Sequence, residues 1–177
     1  MKALIPLFAL LLSGPAFSQT SASQKPVPTV VEELRWVDTG YLERQRTLID
    51  EIGRQEFGSR LRKDIGDLRL LQRIFDEGLV NQTELVKLQA MGVVLGDVYV
   101  NELKLEWRVY KDQDGKSRAV CVPKTQHCLF PITMISKRAS LGVKPNIREL
   151  YEKGIALISD HLPKLPYSVS SNAPNAR

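Results

Sequence analysis

The hydrophobic period of this chain changes once, and that change limits the fold more than any other feature. Before Leu103 apolar residues recur at helical spacing; from Leu103 onward they alternate. Leu103, Leu105, Trp107 and Val109 interleave with Lys104, Glu106, Arg108 and Tyr110, the pattern of a strand buried on one face. Asp112-Gln113-Asp114-Gly115 reads as a turn and residues 118–122 as a second strand, giving an antiparallel hairpin. Residues 127–130 read as a third strand. Helices, then a small antiparallel sheet, then helices make an α+β domain of four to five helices packed on a hairpin plus a third strand.

The helical segments are punctuated by their caps. Asp38 or Thr39 suits the start of a first helix that runs to about Gln55, with Leu42, Leu48, Ile49 and Ile52 on one face. A second helix is expected from Leu61 or Asp64 to Glu77, stopped by Gly78. A third opens at Asn81 with Glu84 three residues on, a capping-box spacing, flanked by Val80 and Leu85 as a hydrophobic staple. Gly92 and Gly96 lie inside it; each costs about 1 kcal/mol relative to Ala in a helix, so a neighbour is expected to pack closely there. Pro131 suits the first position of a short helix through Ile135. A last helix opens with Asn146 and Glu149, again at capping-box spacing, and buries Ile147, Leu150, Tyr151, Ile155 and Ile158.

The two ends are different in kind. Lys2, an apolar run from Ala3 to Leu12, a Ser-Gly-Pro break and Ala16-Phe17-Ser18 together read as a signal peptide over residues 1–18, cleaved after Ser18. The run is shorter than the ~20 residues of a membrane-spanning helix, and no cysteine stands nearby to take a lipid. Residues 19–30 read as a flexible leader, 31–162 as one domain and 163–177 as a disordered tail. The expected location is the periplasm or outside the cell, with no transmembrane segment after cleavage. Of the 25 basic residues only Lys2 falls in the signal, so against 20 acids the mature charge is +4. Basic and acidic residues interleave between positions 35 and 73, as on a solvated helix face. No one-signed stripe or aromatic motif points to nucleic acid.

Candidate chemistry is sparse. Cys121 and Cys128 are the only cysteines; in an oxidising compartment a lone pair on adjacent strands is expected to form a disulfide. Closing so short a loop is worth roughly 2.5 kcal/mol. Six intervening residues do not match a thioredoxin-type redox pair. A Cys-His nucleophile built on His127 would need the thiolate that the bond consumes. With His161 the only other histidine, no metal site is expected, and no cofactor motif is found. Asp112 and Asp114 fit part of a calcium loop, but Lys116 follows the glycine and Cys121 holds the position of the closing Glu; a turn explains them. Asp64, Asp67, Asp76 and Glu77 cluster on one helix, where a solvated face is the default. Asn81-Gln82-Thr83 matches a glycosylation sequon, although Asn81 is already used as a cap.

Several segments taken together resemble a bacterial family, domain of unknown function 3806. They are Asp67-Leu68-Arg69-Leu70-Leu71-Gln72, Asp76-Glu77-Gly78, Leu88-Gln89-Ala90-Met91-Gly92-Val93-Val94-Leu95-Gly96, Leu105-Glu106-Trp107 and Phe130-Pro131-Ile132-Thr133-Met134-Ile135-Ser136-Lys137-Arg138. The resemblance runs from Asp67 to about Leu162 and implies a shared α+β domain, with no activity or catalytic residues to carry over. The cysteine pair departs from it and fits export. Within these segments Trp107 and Phe130 suit the core, Gln72 is polar in an apolar stripe, and Lys137 and Arg138 follow an apolar turn. Gln72, Trp107, Lys137 and Arg138 are therefore the candidate binding surface, and no residue is assigned as catalytic. The expectation is a non-enzymatic binding protein of the envelope, with a partner protein or an envelope polymer as ligand. Its rivals are a hydrolase with an unrecognised carboxylate site and an inhibitor or immunity-type protein.

Overall fold

A computed structural model of the protein describes residues 28–162. The expected signal peptide, most of the expected leader (residues 19–27) and the expected tail from 163 lie outside the described residues. Strand β1 (Val30–Glu33) is followed by helices α1 (Trp36–Phe57), α2 (Gly66–Asp76) and α3 (Leu85–Leu103). Then come strands β2 (Glu106–Asp112), β3 (Gly115–Cys121) and β4 (Cys128–Leu129), helices α4 (Pro131–Ser140) and α5 (Ile147–Ile158), and a 3-10 turn (Ser159–His161). Five helices and a four-stranded antiparallel sheet in the order β1-β2-β3-β4 make the fold α+β.

The period change falls where the sequence places it, between α3 and β2. Turn chemistry sets the hairpin: Asp112 Oδ1 accepts the Asp114 N–H at 2.9 Å, and Gly115 takes φ 118°. The register pairs Tyr110 with Ser117 and Glu106 with Cys121. On the far side of β3, Cys121 stands opposite Cys128 with Cα atoms 4.0 Å apart, and the two form a disulfide.

Helix α3 is the centre of the molecule. Residues from Leu88 to Tyr99 are buried with hardly a break, and apart from Gln89 and Asp97 that stretch is apolar, as suits an enclosed helix. Its two inner glycines are explained by neighbours. A Cβ on Gly92 would stand 2.5 Å from the Pro131 carbonyl oxygen and 2.6 Å from Ile132 Cα; one on Gly96 would stand 2.2 Å from Trp107 Cζ2. Helix α4 and the β2 tryptophan therefore approach the α3 backbone directly.

Several boundaries differ from expectation. Strand β1 carries no alternation long enough to read, and its first residue, Val30, was expected in the leader. Helix α1 starts at Trp36, with Asp38 in its first turn accepting the Arg35 N–H at 3.3 Å instead of capping from outside. Helix α2 begins later, at Gly66, because Asp64 Oδ1 takes the Gly66 N–H at 2.7 Å in a preceding turn. Asn81 makes its own turn, accepting from Thr83 at 3.0 Å, while Glu84 takes the Asn81 N–H at 2.9 Å; α3 starts only at Leu85. Val80 is buried and Leu85 is exposed, so no staple forms. The expected third strand shrinks to two residues, and α4 runs on to Ser140 because Ile135 and Ala139 continue its buried stripe. Asn146 caps α5 as expected, accepting the Glu149 N–H at 3.1 Å.

Candidate functional site

A cleft of about 450 Å³ opens between the sheet and the helices. Tyr41 of α1 and Gln89 of α3 form one side; Lys116, Ser117 and Arg118 of β3 form the floor. Phe130, Ile132, Thr133 and Lys137, from the start of α4 and its last turn, close it. Lys116 and Arg118 are two residues apart on a strand and so share a face. Both reach Asp38, which is fully buried. Lys116 Nζ donates to its two oxygens at 3.1 and 3.2 Å, and Arg118 Nη2 lies 2.9 Å from Oδ1. Burial pushes the Asp38 carboxyl up, but the Lys116 hydrogen bond, the Arg35 N–H and the Arg118 charge outweigh it and hold the carboxyl below its ordinary range. The Arg118 guanidinium also lies 4.1 Å above the Tyr41 ring, a cation–π contact that fixes its plane. Phe130 is braced in turn by an edge-on contact with Tyr110, ring centres 5.1 Å apart.

A second, smaller cleft of about 190 Å³ includes Arg46, Asp50, Lys63, Asp67 and Asp97. Arg46 grips Asp97 with two bonds, Nε to Oδ2 at 2.6 Å and Nη2 to Oδ1 at 2.7 Å, and Trp107 Nε1 donates to Oδ1 at 2.9 Å. Asp67 is buried too, against the expectation of a solvated face. It accepts the N–H groups of Arg62 and Lys63. Burial nevertheless raises its pKa, with Asp64 and Asp97 adding to the effect. The acids at the end of α2 are held by neighbours: Asp76 by Lys144 at 2.9 Å, and Glu77, just past the helix, by Arg73 at 2.6 Å.

The four residues singled out in the sequence are not brought together. Gln72 ties α2 to the loop before α5: its Oε1 accepts the Ile147 N–H at 2.8 Å and its Nε2 donates to Asp76 and the Pro145 carbonyl. Its polarity in an apolar stripe serves backbone bonding. Trp107 is half-buried over Gly96 and bonded to Asp97. Arg138 lies towards α5, where it reinforces Lys153 in lowering the Glu149 carboxyl. Only Lys137 lines the larger cleft. Lys137 and Arg138 belong to the last turn of α4 and do not follow it. Asp38, Tyr41, Lys116 and Arg118 escaped sequence reasoning, because Asp38 reads as a helix cap and Lys116 falls between the expected turn and the expected strand, whereas β3 starts at Gly115. The one available signal was the Lys116-x-Arg118 alternation at a strand start.

His127 and His161 stack with ring centres 3.3 Å apart, fastening the final turn beside β4. With both cysteines in the disulfide, His127 has no thiol to activate. Among the described residues no group of three or more His, Cys, Asp or Glu could hold a metal ion, and no helix is long and apolar enough to cross a membrane.

Residues 67–151 match the family model described as Domain of unknown function (DUF3806). The chain carries a DUF3806 domain. The matched stretch takes in α2 to α4, strands β2 to β4 and the first part of α5, and it leaves out β1 and α1. The larger cleft therefore joins DUF3806 residues, from Gln89 to Lys137, to Tyr41 from outside the match. A crystal structure from Bacteroides thetaiotaomicron VPI-5482, at 18% identity and a TM-score of 0.66, covers 75% of this chain and shares the fold. The match covers 49% of that chain, so the present protein spans about half its length. Comparison with curated proteins gives no match.

Proposed function

We propose that the protein is a non-enzymatic binding module of the bacterial periplasm or cell envelope, and that the cleft between α1, β3 and α4 receives its ligand. The observation that carries this reading is the lining of that cleft: three cations, several hydroxyl and amide groups and a braced aromatic ring, with no carboxylate among its lining residues. Its volume falls in the range of ordinary ligand sites. The cations are positioned before any ligand arrives, since Asp38 and Tyr41 already orient Lys116 and Arg118. The location draws support from the Cys121–Cys128 bond, which suits an oxidising compartment.

The hydrolase reading rests on Asp67, a carboxyl with a raised pKa in a cleft beside Asp97. Both acids have structural employment, however. Asp67 holds two backbone N–H groups, and Asp97 is occupied by Arg46 and Trp107. Those bonds count against either acid as a proton carrier for a substrate. An inhibitor would be a special case of the binding reading, with an enzyme as partner.

The test is a photo-reactive residue at Ile132, in the full chain expressed in its own envelope. A discrete adduct that persists in high salt and is lost with Lys137→Glu is the expected result. A diffuse set of adducts unchanged by Lys137→Glu would overturn the reading.

A further inference from the structure

We infer that the cleft is an anion site, built for the carboxylate of an acidic peptide segment whose neighbouring apolar group rests on Phe130. This rests on the binding reading above and gives its ligand a chemical class.

Charge is the first reason. Lys116, Arg118 and Lys137 face the cleft and one carboxylate, Asp38, is buried behind it; three positive charges against one negative leave +2. Asp38 cannot saturate the cations it holds. Lys137 Nζ makes no ion pair with the acids of the described residues.

An orphan donor is the second. Arg118 Nε is buried and has no hydrogen-bond partner among the described residues, although Nη2 of the same group is ion-paired with Asp38 at 2.9 Å. An acceptor would reach it only after a small shift of the side chains that cover it, and would then complete its hydrogen bonding with little further desolvation. The guanidinium cannot easily rotate to find another partner, because Asp38 holds one edge and the Tyr41 ring lies beneath its plane at 4.1 Å. A planar carboxylate matches a guanidinium edge better than a point-like acceptor does.

The third reason is the apolar wall. Phe130 and Ile132 line the cleft on the side that carries Lys137, and a ligand of charge alone would leave that surface uncovered. A peptide carrying Glu or Asp next to an apolar side chain fills both halves.

The experiment titrates the full chain, disulfide intact, with a library of blocked four-residue peptides containing Glu beside Leu. The same peptides with Gln for Glu, and inorganic phosphate, serve as comparators. We expect saturable binding of Glu peptides, weakened roughly tenfold by Lys137→Gln, a loss that corresponds to one charge-assisted contact. Binding should also weaken steeply as salt rises. Lys137 is exposed in the last turn of α4, so its replacement should leave the fold intact, and circular dichroism checks that. Equal binding of the Gln peptides overturns the anion site while leaving the binding module standing. Phosphate competing better than any Glu peptide overturns the peptide class in favour of a phosphorylated ligand. No binding by any acidic peptide also overturns the inference, and the crosslink at Ile132 then reports independently on the binding module.

Discussion

Asp38 and Asp67 are both buried carboxyls, and their surroundings move them in opposite directions. Asp38 meets two cations and a backbone N–H, so folding favours its ionised form. Asp67 has backbone donors and no cation bonded to it, so burial wins and folding favours the protonated form. The consequences for stability follow from linkage. The contribution of Asp38 is complete above its unfolded pKa of about 3.9 and fades as pH falls through the lower folded value. Asp67 costs stability above its raised folded value, and that cost is relieved as pH falls through it. We predict that Asp38→Asn lowers stability at neutral pH by about 2 kcal/mol and makes the acid limb of the stability profile shallower. Asp67→Asn keeps an acceptor for Arg62 and Lys63 and makes the same limb steeper. Urea denaturation of both variants between pH 3 and 7 measures the two slopes; slopes that move in the same direction would contradict the account.

Among the helices, close approach decides more than propensity. Gly92 and Gly96 admit Pro131 and Trp107 to the α3 backbone, and Gly154 of α5 does the same for the Tyr99 hydroxyl, 2.0 Å from where a Cβ would stand. That hydroxyl is buried and placed to donate to the carbonyls of Leu150 or Tyr151, at 3.0 and 3.1 Å; burial pushes its pKa well up. Alanine favours a helix by about 1 kcal/mol over glycine, so the sign of a Gly→Ala change reports packing. We predict that Gly92→Ala and Gly154→Ala each cost about 1–3 kcal/mol through overpacking. Gly40→Ala on α1, where a Cβ would meet only the Arg44 tip at 3.4 Å, should be neutral or gain up to about 1 kcal/mol. Chemical denaturation of the three variants checks the contrast. The glycine pair of α3 was legible as a demand for a close neighbour; which neighbour it was could not be read, because Pro131 and Trp107 meet it only through the tertiary fold.

For the molecule as a whole, the disulfide is the staple of the sheet's far edge. Strand β4 has two residues and pairs only with β3, too little to hold itself by backbone bonds. The Cys121–Cys128 link fixes it, and with it the start of α4 that closes the cleft. We predict that Cys121→Ala with Cys128→Ala lowers unfolding free energy by about 2.5 kcal/mol in the chain-entropy account. Addition of reductant to the native protein should produce the same loss, and reductant should leave the double variant unchanged. If the double variant is as stable as the oxidised protein, β4 is held by other means.

The sequence by itself determined the α+β class, the hairpin, the Asn146 cap and the pairing of the cysteines. Each is a local matter: periodicity, turn chemistry and caps act between residues a few positions apart, and a lone cysteine pair on adjacent strands has one partner to find. It also marked Gln72 as a polar residue out of place in an apolar stripe, but not that the residue bonds the backbone before α5. Only the tertiary structure decided the cleft. Asp38, Tyr41, Lys116 and Arg118 come from α1 and β3, 78 positions apart at the Lys116–Asp38 contact, and nothing in either segment names the other. A buried charge declares itself only when the partners that make its burial tolerable are in place.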